Sequence, residues 1–181
     1  MLDIKNCCLV VVDVQGKLAQ LMHNKEDLFK NLRILIQTAT SLEIPILWSQ
    51  QCPDALGPTI PEIAELLEHI EPINKSTFSC LAEPRFKSKL MELSQKQILL
   101  CGIEAHICIY QTAVDLLKFG WHVHVPADAV SSRTLENKHI ALTRMQAEGV
   151  KISSTEMALF ELLKSADHKK FKTIAKLVKQ H

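Results

Sequence analysis

The run Cys8-Leu9-Val10-Val11-Val12-Asp13 constrains the fold more than any other stretch of the chain. It is apolar and largely β-branched, with no polar residue at alternate positions. As a strand it must therefore be covered on both faces, which is the mark of a parallel sheet. Parallel strands cannot be joined by tight hairpins and need long crossovers, usually helices.

The rest of the sequence supplies them. Apolar spacing at Leu28, Leu32, Ile34 to Ile36, Ala39 and Leu42 predicts an amphipathic helix over 28–42. Ile46-Leu47-Trp48 is a second strand. Residues 50–61 carry Pro53, Gly57, Pro58 and Pro61 and read as a long loop, a kind of segment that often serves function. A short helix is expected over 62–69. Residues 71–75 make a poor strand with a proline, which belongs at a sheet edge. A helix over 84–93 has proline in its first turn. Then come a buried strand at 98–101, a helix over 107–119 closed by Gly120, and a strand at 121–125. A helix at 135–148, a strand at 150–153 and a helix at 156–163 follow. A basic amphipathic helix over about 167–180 ends the chain, with its charged side in solvent. The alternation predicts an α/β protein: a single doubly wound domain, 1–181, with a six-stranded, mainly parallel sheet of order 3-2-1-4-5-6 and helices on both faces.

Composition narrows the function. The 181 residues suit one domain, and the net charge of +1 provides no strong field for nucleic acid or an anionic membrane. No apolar run approaches the ~20 residues that span a bilayer. The N-terminus has no basic stretch before its apolar run, which Asp13 interrupts, so no signal peptide is read. The six cysteines include no C-x-x-C pair, and several lie in apolar runs. That pattern predicts reduced thiols and a cytoplasmic protein, with neither a disulfide framework nor a zinc site.

Three ionisable residues fall where strands end: Asp13, Lys75 and Cys108. In a sheet of this order the carboxyl ends of the first and fourth strands flank the crevice where ligands bind, so Asp13 and Cys108 can meet there. Cys108 opens a helix, whose dipole favours the thiolate and predicts a pKa below the free value of ~8.5. Asp13 suits a general base, and Lys75 a charge that favours thiolate and orients the aspartate. Taken singly, each has a structural alternative: a turn residue, a solvated lysine, a small core cysteine. His106 lies close enough in sequence to pair with Cys108, and His122 and His124 alternate on one strand.

The segments VVDVQ at 11–15, LGPTIPE at 56–62, NKSTFSC at 74–80, GIEAHICIYQTAVDLL at 102–117, GWHVHVPADAVSS at 120–132 and TEMALFELL at 155–163 span nearly the whole chain, in order. Together they resemble the isochorismatase-like, or cysteine hydrolase, superfamily, which includes nicotinamidases. They look most like its isochorismatase-domain-containing branch. The resemblance places the family's Asp-Lys-Cys triad on Asp13, Lys75 and Cys108. It implies attack of the thiolate on an amide carbonyl and release of a thioester by water. It also implies a cis peptide at Ile103–Glu104 that aims the backbone N–H groups of Glu104 and Cys108 as an oxyanion hole.

Departures from the family pattern shape the expected chemistry. Nicotinamidases hold a metal with an Asp-x-His after the second strand. Here the place reads Trp48-Ser49-Gln50-Gln51-Cys52, so no metal and no cofactor is expected. That metal binds the pyridine nitrogen, so the departure counts against nicotinamide. Isochorismatases proper lack the cysteine, so Cys108 counts against vinyl ether cleavage. The expected protein is a metal-independent cysteine hydrolase of a small amide or related C–N bond. The alternative is a silent binding or scaffold protein that keeps fold and triad. Gln15, Trp48, Gln50 and Phe78 are candidates to line the pocket of a small-molecule substrate. Family habit and the apolar helix Val114 to Phe119 predict a homo-oligomer.

Overall fold

The computed structural model describes residues 1–179. Its strands are β1 (Cys7–Val12), β2 (Ile46–Gln51), β3 (Ile73–Lys75), β4 (Gln97–Ile103), β5 (His122–Pro126), β6 (Val130–Ser131) and β7 (Lys151–Ser153). The helices are α1 (Gly16–Gln20), α2 (Lys25–Ser41), α3 (Pro53–Leu56), α4 (Pro61–Ala64), α5 (Pro84–Glu92), α6 (Tyr110–Lys118), α7 (Leu135–Ala147), α8 (Thr155–Leu163) and α9 (Phe171–Lys179).

Burial of β1 on both faces organises the domain. Cys7, Leu9 and Val11 point into one apolar core, and Cys8, Val10 and Val12 into the other. The first core is closed by α2, α8 and α9 through residues such as Leu32, Leu159 and Ile174. The second is closed by α5, α6 and α7 through Phe86, Leu116 and Met145. The sheet runs β3-β2-β1-β4-β5-β7, all parallel, with β3 at the edge.

The expected order therefore holds, with one strand added. β6 pairs with the far end of β4, Gly102 opposite Val130 and Ile103 opposite Ser131. Pairing of β5 with β4 stops at Leu99–His124, which leaves that end of β4 open for a partner. Two residues are too short to show an alternation, so β6 has no signal of its own in the sequence.

Other differences sit at element ends. Only 61–64 of the expected helix 62–69 is regular. Beyond it Leu66 and Leu67 donate to Ile63 and Ala64, the tighter three-residue bonding of a fraying end. The loop 50–61 coils into α3 and leads into α4. The helix expected from 107 starts as a π turn, Ala105–Ile109, before α6. The C-terminal helix begins at Phe171, and the last residue of its expected range, 180, lies outside the described residues.

Gly102 shows how closely β1 and β4 approach. It lies at φ +115, and a Cβ there would sit 2.1 Å from the Val12 carbonyl oxygen. Only glycine supplies both the conformation and the clearance. β2 lies on one side of β1 and β4 on the other, with crossovers to opposite faces. This is the switch point, and the crevice opens beyond the carboxyl ends of these strands.

Candidate active site

Asp13 follows β1 with its backbone in the left-handed region, φ 53, and its N–H on the Ser49 carbonyl at 3.2 Å. The turn directs its carboxylate across the end of the sheet. Ser49 Oγ donates to Oδ1 at 2.7 Å, and Lys75 Nζ donates to Oδ2 at 2.6 Å. Both side chains are out of solvent, with Lys75 0% and Asp13 3% exposed. Lys75 Nζ also reaches Gln51 Oε1 at 2.7 Å and the carbonyls of Thr77 at 3.1 Å and Phe78 at 3.4 Å. A buried charge pair this well bonded avoids the large cost of an isolated buried ion. Burial works against the ammonium. The Asp13 carboxylate and smaller contributions from Cys80 and Cys108 together outweigh it, and the lysine pKa lies above its usual value.

Cys108 sits in the π turn after β4, 7% exposed, and lines the same crevice as Asp13. Its pKa is raised. Burial is the main cause, Asp13 adds to it, and the Lys75 charge opposes both. This corrects the expectation of a thiol poised below its free value: the helix-dipole argument omits the carboxylate beside the sulfur. The resting group is the thiol.

The Ile103–Glu104 peptide is cis. The Glu104 carbonyl accepts from Ile107 N–H at 3.1 Å and from Ile109 N–H at 3.2 Å, and passes over that of Cys108. The Glu104 side chain turns to Arg133, whose N and Nε donate to Oε1 at 3.1 Å each.

The crevice above Cys108 has a volume of about 110 Å³. Leu18, Leu56, Phe78, Ile103 and Ile107 form apolar walls, and Asp13, Gln51, Glu104 and Cys108 supply the polar atoms. Of the proposed pocket residues, Phe78 is there and three are elsewhere. Trp48 is buried in the core and donates Nε1 to the Ile70 carbonyl at 2.7 Å. Gln15 ties loops together, donating to the carbonyls of Gln51 at 3.1 Å and Gly57 at 2.7 Å. Gln50 donates to Thr59 Oγ1 at 3.0 Å. Successive strand residues face opposite ways, so Gln51, one step along, is the glutamine that reaches Lys75. A larger polar cavity, about 360 Å³, is lined by His23, Asp27, Asn31, Asp128 and Lys138 among others and contains none of the three residues.

Several supporting residues escaped the sequence reading. Ser49 holds Asp13, and the Cys80 thiol lies 3.6 Å from Ser49 Oγ as its donor. Thr112 Oγ1 accepts from Cys80 N–H at 3.0 Å. Serine, cysteine and threonine in apolar surroundings look like ordinary core residues. Only the β2–β3 register, Gln51 opposite Lys75, signals the Gln51 contact. His106 turns away from the sulfur, with Nδ1 2.9 Å from Ser132 Oγ. His122 is exposed and His124 is buried. Among the described residues no three His, Cys, Asp or Glu side chains converge as a metal set. No helix among them is long and apolar enough to cross a membrane.

The protein is a doubly wound α/β domain with a crevice at its switch point. A family model described as "Isochorismatase domain" matches residues 7–157, and the chain belongs to that family. It is 38% identical over 177 residues to isochorismatase domain-containing protein 2 of Danio rerio, covering 98% of this chain and 89% of that protein. The solved structure of MAR1 ribonuclease from Caenorhabditis elegans is similar, with a TM-score of 0.92, 36% identity, and coverage of 98% of this chain and 92% of that one. The YcaC gene product of Escherichia coli, described as an octameric hydrolase of unknown specificity, shares the fold. Its TM-score is 0.94 at 20% identity, covering 99% of this chain and 90% of that one.

Proposed function

We propose that the protein is a metal-independent cysteine hydrolase that cleaves a small amide or related C–N bond. The observation that carries this reading is the buried Lys75–Asp13 pair at 2.6 Å, with Asp13 and Cys108 lining the same crevice. Asp13 takes the thiol proton as Sγ attacks the carbonyl carbon. The oxyanion lies against the backbone N–H groups of Glu104 and Cys108, where the loss of one donor typically costs ~3 kcal/mol of transition-state stabilisation. Collapse of the adduct breaks the C–N bond, and Asp13 returns the proton to the leaving amine. Water, deprotonated by Asp13, then attacks the thioester. The acid leaves and the proton goes back to Sγ. Lys75 holds the carboxylate in place through its 2.6 Å bond to Oδ2.

The raised thiol pKa fits this division of labour, because the nucleophile forms only when Asp13 accepts the proton. A nucleotide does not suit a crevice of about 110 Å³ without a cationic side chain in its walls, so nucleic acid is left out of the reading. A cytoplasmic setting is proposed from the six free cysteines. A homo-oligomer is also part of the proposal. Phe119, expected at the partner surface, is 56% exposed at the end of α6, with Lys87 Nζ 3.9 Å from its ring centroid.

The test is ammonia release from a panel of small amides, compared with Cys108→Ala. Turnover that vanishes in the variant supports the hydrolase. No turnover, together with Cys108 alkylation no faster than that of fully buried Cys101, supports the silent scaffold.

A further inference from the structure

The crevice also carries a charge preference, and the inference rests on the hydrolase reading above. We infer that the site takes an uncharged amide with a compact apolar acyl group and rejects amides that carry a carboxylate or an ammonium. Three observations lead there.

The first is size and lining. A volume of about 110 Å³ corresponds to roughly four waters, or about six non-hydrogen atoms of a substrate. Leu18, Leu56, Ile103 and Ile107 present hydrocarbon to that space, with Phe78 across the mouth.

The second is that the cation at the site is fully engaged. An ammonium has three N–H bonds. Those of Lys75 face four acceptors, on Asp13, Gln51, Thr77 and Phe78, and its side chain is 0% exposed. None is left for a substrate carboxylate. Gln51 is engaged as well: its Oε1 faces Lys75, and its Nε2 donates to the Ser76 carbonyl at 2.9 Å.

The third is that the anions are matched. Asp13 answers to Ser49 and Lys75, and Glu104 answers to Arg133. A carboxylate entering the crevice would meet two carboxylates, and no cationic side chain is among the residues that line it. An ammonium would compete with Lys75 for Asp13, the group that must receive the thiol proton. Leaving a charge unpaired in such a space costs far more than leaving a neutral amide there.

Iodoacetamide and iodoacetate test the anionic half directly, since they differ chiefly in charge. Each rate of Cys108 alkylation is read by mass spectrometry and divided by the rate with free glutathione. The expected ratio favours iodoacetamide at least tenfold. In Phe78→Arg, a change at a side chain 52% exposed, the ratio should fall to threefold or less. Turnover tests the rest: ammonia release from isobutyramide should exceed that from glycinamide and from succinamate at least tenfold in kcat/KM. Equal normalised rates for the two iodo reagents, or preference for either charged amide, would overturn the inference while leaving the hydrolase reading intact. A tenfold iodoacetamide preference with no amide turned over would do the reverse, retaining the charge preference and removing the hydrolase.

Discussion

Two buried polar sites in this domain are built in opposite ways. At the carboxyl ends of β1, β2 and β3, the side chains of Asp13, Ser49, Lys75 and Gln51 engage one another in a continuous network. In the middle of β5, His124 is equally buried, yet its Nε2 has no hydrogen-bond partner among the described residues. The first site keeps its charges because each has an opposite charge or a directed dipole within bonding distance. The second cannot hold a charge. Burial, then the Lys151 ammonium on the neighbouring strand, depresses the His124 pKa to about 4. Burial therefore does not decide ionisation by itself; the number of fitted partners does.

Removing one member of the network should give the largest effect. Lys75→Met leaves the Asp13 carboxylate buried without its counter-ion. The expected loss is about 3–5 kcal/mol of stability, read from denaturant midpoints, together with loss of turnover. The double variant Asp13→Asn, Lys75→Met should recover much of that stability and none of the activity. If the single variant is as stable as wild type, the pair is not the buried unit described here.

The histidine should respond to acid instead. Its folded pKa of about 4 lies below the ordinary histidine value of 6.5, so the unfolded chain binds the proton more readily between those values. Stability from a neutral His124 is present above pH 6.5 and falls as pH drops toward 4, by ~3 kcal/mol for a gap of this size. His124→Leu should flatten that part of the curve, measured as melting temperature against pH. An unchanged slope in the variant would assign the acid sensitivity to other groups.

A smaller effect is expected at the edge of the network. Ser49→Ala removes one donor from Asp13 Oδ1 and the acceptor of the Cys80 thiol. About 1–3 kcal/mol of stability should go, since a buried acceptor is left short of a partner. Ser49→Thr, which restores a hydroxyl, should recover that stability.

Much of this comparison was legible in the sequence. Unbroken apolar runs at 8–13 and 98–101 announced strands covered on both faces, and the helical periods between them announced the crossovers. From these the α/β class and the strand order followed. Asp13, Lys75 and Cys108 each stand where a strand hands over to a loop or helix, and the family resemblance singled them out as a triad. The faces of individual side chains were less legible. Gln50 and Gln51 are identical in type, and a shift of one residue exchanges the crevice for the loop beside it. Trp48 looked like a pocket wall and is core, because its indole N–H finds the Ile70 carbonyl. β6 and the π turn at 105–109 left no mark, being shorter than any period that could reveal them.

The sequence by itself determined the layers, the order of the strands and the residues brought to their ends, because burial of apolar surface depends on pattern and reads along the chain. The tertiary structure alone decided how those residues share protons. Whether Cys108 rests as thiol or thiolate depends first on its burial, then on a carboxylate 95 positions away in the chain and on the lysine paired with it. Electrostatic energy depends on distance in space and on the loss of water, and neither is written in sequence order.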